Sequence, residues 1–171
     1  RRDYPAYRKL TEQVKIPSLS ALQQSCTNAQ QAIVHYFVGG VQCYALVINQ
    51  TATTVHQLGS SADVEASVRA VLDFFTASSK IENDPAAFTQ AAYTCYQRLL
   101  APIGIEAYQS LVLIPDGLLT YLPFAALPTQ AVASTDISQL PYLIRSHTLA
   151  YGHSASTMAQ QLAKVGRGGA S

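Results

Sequence analysis

The sequence predicts an α/β fold, a layered sheet flanked by helices with a β-hairpin and further helices toward the N-terminus, and three observations predict it. Leu111, Val112, Leu113 and Ile114 run into Pro115 without a polar interruption, the pattern of a strand buried on both faces. Two β-rich runs, 32–38 and 41–48, flank Gly39 and Gly40 as the arms of a hairpin flank its turn. Between them and the apolar strand lie two stretches whose apolar residues recur at helical spacing. A length of 171 residues with no internal repeat fits one domain.

Taken in order, positions 4–14 place Tyr4, Tyr7, Leu10 and Val14 on one helical face, and Pro17 closes that segment. A second helix begins near Ser18 or Ser20, either of which can cap it, and fades over 26–28. With Gly39 and Gly40 as the two turn residues, the hairpin register pairs Val38 with Val41, Tyr36 with Cys43 and His35 with Tyr44. Positions 53–58 alternate and add a third strand. Ser60 with Asp63 three residues on resembles a capping box, and Val64, Val68, Val71, Leu72 and Phe75 then share a face. Asp84 before Pro85 supplies a cap and a first-turn proline. Phe88, Ala91, Ala92, Cys95, Leu99 and Leu100 follow as a buried stripe, which Pro102 ends.

Beyond the apolar strand, Asp116 and Gly117 turn the chain, and 118–127 carries Pro123 in an apolar setting with Pro128 directly after it, too interrupted for regular structure. Positions 129–139 form a small polar connection. His147 to Tyr151 reads as a short strand, and 154–164 as a helix with Ala155, Met158 and Leu162 on one side. The glycines of 166–169 are a tail: no strand leads into them and no Lys-Ser/Thr pair follows, so they are not a phosphate loop.

Composition narrows the function classes. Charged residues make up only 12% of the chain against about 25% in an average domain, a balance expected where one flank is covered by other parts of the same polypeptide. Eleven Lys and Arg against ten Asp and Glu leave a net charge of +1 with no basic cluster, so nucleic-acid binding has no electrostatic basis. The apolar runs are far shorter than the 18 or so residues of a membrane span. Neither a secretory signal nor a membrane partner is expected. Cys26, Cys43 and Cys95 are odd in number and widely spaced, which suits neither a disulfide framework nor a zinc site. A reducing, cytoplasmic setting with no metal and no cofactor follows as the expectation.

Three blocks, in order over nearly the whole chain, carry a family resemblance. Leu113-Ile114-Pro115-Asp116-Gly117-Leu118-Leu119 followed by Leu122-Pro123-Phe124-Ala125-Ala126-Leu127 resembles the CHAT pattern of a buried strand, a Pro-Asp-Gly turn and a Pro-Phe-x-x-Leu segment. Tyr142-Leu143-Ile144 through Leu149-Ala150-Tyr151-Gly152-His153-Ser154-Ala155-Ser156 resembles the next strand and the Pro-Ser-Ala step into a helix, with Gly152-His153 where a proline is common. The hairpin and helix pair upstream match the family's lead-in, which often follows tetratricopeptide repeats.

The resemblance implies a caspase-like layered sheet, incomplete at the C-terminus, with 1–30 a helical lead-in, 31–58 a hairpin or meander, 60–102 a helix pair and 110–165 the start of the core. It also implies a cysteine peptidase module of large bacterial proteins, with a peptide or protein substrate and the remainder of its own domain as partners. Family peptidases use a His followed by Gly after one strand and a Cys at the end of the next. None of His35, His56, His147 or His153 precedes a glycine, so the dyad is expected downstream of Ser171, no catalytic residue is carried over, and the segment itself is expected to be inert. A non-catalytic scaffold or interaction module is the alternative.

A thiol protease needs a His able to deprotonate its Cys. In the hairpin register above, His35 and Cys43 point to opposite faces, because side chains alternate along a strand. Cys43 and Cys95 read as small core residues. Gly152-His153-Ser154-Ala155-Ser156 sits between strand and helix as a hydrolase elbow would, but Ser156 replaces the final glycine and no Asp, Glu or His follows Ser154. Ser154 reads better as a helix cap, leaving a serine hydrolase a distant alternative. Asp116 stands at the end of a buried strand, where α/β sheets present functional groups, yet as a turn residue its carboxylate is expected to accept local backbone N–H groups. Arg145 is placed to pair with Asp116 or line a pocket, with a solvated surface position as its plainer reading.

Overall fold

The computed structural model describes residues 18–77, 79–131 and 136–152. Helix α1 (Leu19–Ser25) leads into β1 (Gln31–Val38), β2 (Gln42–Ile48) and β3 (Thr53–Ser60); helices α2 (Ser61–Phe74), α3 (Ser79–Asn83) and α4 (Pro85–Leu99) follow. Strand β4 (Ser110–Ile114), a run of short 3-10 turns, the single-turn helix α5 (Leu143–Ser146) and β5 (Thr148–Tyr151) complete the order. The five strands form one mixed sheet in the order β3-β2-β1-β4-β5. Strands β1, β2 and β3 form an antiparallel meander, whereas β4 and β5 run parallel to β1. The molecule is thus α/β, a five-stranded mixed sheet flanked by helices, with the hairpin and helices toward the N-terminus.

Local chemistry explains where the helices start. Ser18 accepts from Ala21 N–H at the head of α1, Ser60 from Asp63 N–H at the head of α2, and Asp84 from Ala87 N–H at the head of α4, satisfying donors that the helix leaves open. Val64, Val68 and Val71 of α2 and Phe88, Ala92, Cys95 and Leu99 of α4 are buried against one face of the sheet, with Ala32, Val34 and Tyr36 of β1, Cys43, Ala45 and Val47 of β2, and Leu111 and Leu113 of β4. Tyr96 and Thr89 join the buried stripe of α4, which the apolar spacing alone did not include. Phe75, expected on the buried face of α2, lies just past the helix and half exposed, edge-on to Phe88. The opposite sheet face carries a smaller cluster, in which Leu22 of α1 and Cys26 just past it cover Ile33, Ile48, Val112 and Ile114.

The hairpin differs from the expected register. Val38 pairs with Cys43, Phe37 with Tyr44, Tyr36 with Ala45 and His35 with Leu46. Four residues, 39–42, make the connection, closed by a bond from Gly39 N–H to the Gln42 carbonyl at 3.0 Å. Neither Gly39 nor Gly40 adopts positive φ, so the primed two-residue turn is not formed. The start of α2 holds this loop: Ser61 donates from its backbone N–H to the Val41 carbonyl and from its hydroxyl to the Gly39 carbonyl. The correction is a two-residue shift. An even shift preserves the side-chain alternation, so His35 and Cys43 still face opposite ways.

Strand β4 is interior, as its unbroken apolar run predicts, with Leu111, Val112, Leu113 and Ile114 all buried. It lies second from one edge, and β1 occupies the middle. The short strand expected over 147–151 forms as β5 from Thr148, and the helical turn α5 precedes it. The segment expected to be irregular holds two 3-10 turns, Gly117–Tyr121 and Phe124–Ala126. The helices expected over 4–14 and 154–164 lie outside the described residues.

Candidate functional site

The carboxyl ends of β1, β4 and β5 lie on one side of the sheet because the three strands are parallel, and this is the side where open α/β sheets expose chemistry. Pro115 ends β4 because it has no N–H to continue the ladder. Gly117 then takes φ +55, a left-handed turn conformation that side chains disfavour, and Leu119 N–H bonds back to the Asp116 carbonyl.

Asp116 does not serve its own turn as expected. Its carboxylate accepts from the backbone N–H of Val38 at 2.9 Å, at the end of the neighbouring β1, and makes no cap to the 3-10 turn that follows it. The parallel register brings the two together: His35 pairs with Ile114, so Asp116, two residues on, reaches the last rungs of β1. Asp116 therefore ties the exits of two neighbouring strands, a role invisible until the strands are paired.

His35 lies half-buried on the same part of the sheet, its ring 4.2 Å from that of Phe37. Burial lowers its pKa, and the nearby Asp116 carboxylate opposes that effect in part. Cys43 faces the opposite side and is fully buried. Burial first, and the Asp116 charge second, push its thiol up. Cys26 and Cys95 are buried too, and burial raises both, Cys95 to about 12. A thiol in such surroundings keeps its proton at neutral pH and is a poor nucleophile.

Arg145 stands apart from Asp116. It is exposed on α5 and donates to the Ser138 carbonyl, and no ion pair joins it to Asp116 among the described residues. Ser154 and His153 lie outside the described residues.

A cleft of about 500 Å³ opens elsewhere, lined among others by Tyr96, Glu106, Tyr108, Ser146 and His147. Tyr96 donates to Glu106 at 3.0 Å, His147 Nε2 donates to the Ile105 carbonyl at 3.2 Å, and the Ser146 hydroxyl lies 2.8 Å from His147 Nδ1. This cleft sits at the amino ends of β4 and β5, opposite the edge where a parallel sheet presents reacting groups. Tyr96, Glu106, Ser146 and His147 are bonded to one another and to backbone, which explains them as structure. No group of three or more His, Cys, Asp or Glu side chains converges as a metal site among the described residues. Nor is any helix among them long and apolar enough to cross a membrane.

Residues 89–169 match the family model of the CHAT domain, a stretch that takes in most of α4 and all of β4 and β5. No curated protein matches the chain. The matched family is one of caspase-like, peptidase-related modules.

Proposed function

Residues 89–169 being CHAT-domain sequence, we propose that the chain is the N-terminal part of a caspase-like cysteine peptidase domain whose His and Cys come from outside these 171 residues. In this reading the segment supplies the first strands, the flanking helices and one wall of the substrate cleft at the carboxyl ends of β1, β4 and β5. The match of 89–169 carries the reading; within it, all three cysteines are buried with raised thiol pKa values, so the reactive thiolate is assigned to another part of the protein. Strand β5 supports it, for it is a short, largely exposed parallel strand with no strand on its outer side among the described residues. The remainder of the domain, helical repeats upstream and a peptide or protein substrate are the partners this reading implies, in a cytoplasmic setting.

The test compares this chain with a longer form of the protein, using a peptide probe bearing a thiol-reactive group. The 171-residue chain should remain unlabelled while the longer protein is labelled at a cysteine that ends a later strand. Labelling of Cys26, Cys43 or Cys95 in the folded chain, or a longer sequence with no His-Gly and no strand-ending Cys, would sink the peptidase reading.

A scaffold or interaction module is the second reading, and a specific feature favours it. Phe37, Tyr44 and Val55 stand 44%, 38% and 67% exposed on one sheet face, an apolar surface of the kind partners cover. Probe labelling that disappears when the later cysteine is replaced would exclude a purely structural role.

A further inference from the structure

Arg98 poses a question that the fold does not answer. It sits in the last turn of α4 with its side chain 31% exposed, and its guanidinium offers five N–H donors. Its Nε is buried and has no hydrogen-bond partner. The nearest anion, Asp63, lies 3.9 Å from Nη1, beyond hydrogen-bond reach, and is itself 66% exposed, so water competes for it. Leaving a buried donor of a charged group unpaired is costly, and such a group calls for an explanation.

The surroundings supply one. A cleft of about 320 Å³ opens over Arg98, lined by Leu58 at the end of β3, Thr94 and Gln97 of α4, and Pro102. Among the described residues no carboxylate lines it, so Arg98 is the one charge they bring to it. Gly59, at φ +108, runs alongside, and a Cβ there would stand in ordinary contact 3.7 Å from Nη1, so the strand leaves room at the guanidinium. Thr94 is committed to Gln90, donating to its carbonyl at 2.8 Å, which leaves the guanidinium and the Gln97 amide as the donors that a ligand would meet.

We propose that this cleft binds a carboxylate, held by the Arg98 guanidinium with its stem between Leu58 and Pro102. One cation between two apolar walls matches a monoanion on a short apolar stem; a phosphate dianion would call for a second cation. The carboxylate could belong to an acidic side chain or to a chain terminus, and both present the same planar pair of oxygens. The site lies at the β3 margin of the sheet, away from the exits of β1, β4 and β5, and does not depend on the peptidase reading.

The experiment follows the Arg98 Nε–Hε resonance of the ¹⁵N-labelled 171-residue chain at constant ionic strength. N-acetylleucine stands for a chain terminus and N-acetylaspartate α-amide for an internal acidic residue, with sodium chloride as the control. A saturable shift with at least one of the two acids and none with chloride is expected, and the tighter acid identifies the source. Arg98→Lys keeps the charge but loses the fork, and should weaken binding by about tenfold or more. Asp63→Asn removes the competing carboxylate from an exposed position and should tighten binding severalfold, which keeps the test decisive even if the Arg98 variant folds poorly. Non-saturable shifts with both acids, or an affinity that Asp63→Asn leaves unchanged, would overturn the proposal.

Discussion

Asp116 shows how far one carboxylate's role depends on its neighbours. Its bond to Val38 N–H joins two strands separated by 78 residues in sequence, so Asp116→Ala removes an acceptor from the exit of β1 and should cost about 1 kcal/mol by chemical denaturation. Asp116→Asn keeps an oxygen in place and should cost less; equal losses for the two variants would contradict the bond. His35 gives a pH dependence with a definite sign. Its folded pKa is lowered, chiefly by burial, so the unfolded state binds its proton first as pH falls. The stability it contributes is complete above the unfolded value of about 6.5 and is lost as pH falls from there through the lower folded value. In His35→Gln the fall in stability between pH 7 and pH 5 should be shallower, and an unchanged slope would remove His35 from the account. The thiols follow the same logic. With Cys95 pushed to about 12 by burial, a disulfide reagent at pH 8 should react with the native chain at least about a hundredfold more slowly than with the denatured one.

At the scale of elements, what was legible in the sequence is what local chemistry controls. The caps Ser18, Ser60 and Asp84 lie within three residues of the N–H groups they satisfy; Ser60 and Asp84 were readable from spacing alone, and Ser18 as one of two candidates with Ser20. The burial of β4 was readable too, because four consecutive apolar residues leave no solvent face. The hairpin register was not. Gly39 and Gly40 suggest a two-residue turn, but the loop is held by Ser61, 22 residues from Gly39, and that tertiary tie selects a four-residue connection. Asp116 failed for the same reason, since its partner is close in space and distant in sequence. The two glycines can now be separated by experiment. A Cβ on Gly39 would meet the Gln42 backbone carbonyl at 2.9 Å, whereas one on Gly40 meets nothing within 4 Å. Gly39→Ala should destabilise by about 1–3 kcal/mol, while Gly40→Ala should be neutral or stabilise by up to about 1 kcal/mol. Equal effects would mean that the loop is not closed as described.

The whole molecule is unevenly covered, and this bears on its low charge content. One sheet face lies under α2 and α4, with Tyr36 buried beneath them and its hydroxyl donating to the Leu99 carbonyl. The other has α1 over Ile33, Ile48, Val112 and Ile114, while Phe37, Tyr44 and Val55 remain in contact with solvent. A sheet of this kind is stable with one face solvated when that face is polar, and here it is not. If the rest of a longer protein covers this face, one pair of substitutions will have two different effects. Phe37→Gln with Val55→Gln removes apolar groups that are exposed in the 171-residue chain, so its stability should change by no more than about 0.5 kcal/mol for each site. In the longer protein the same side chains would be buried, and each replacement should cost about 1.5–3 kcal/mol of lost apolar burial. Thermal unfolding of both lengths, with and without the substitutions, separates the cases. A large loss in the short chain would show the face to be already covered there, and a small loss in both would show that the face stays open in the longer protein as well.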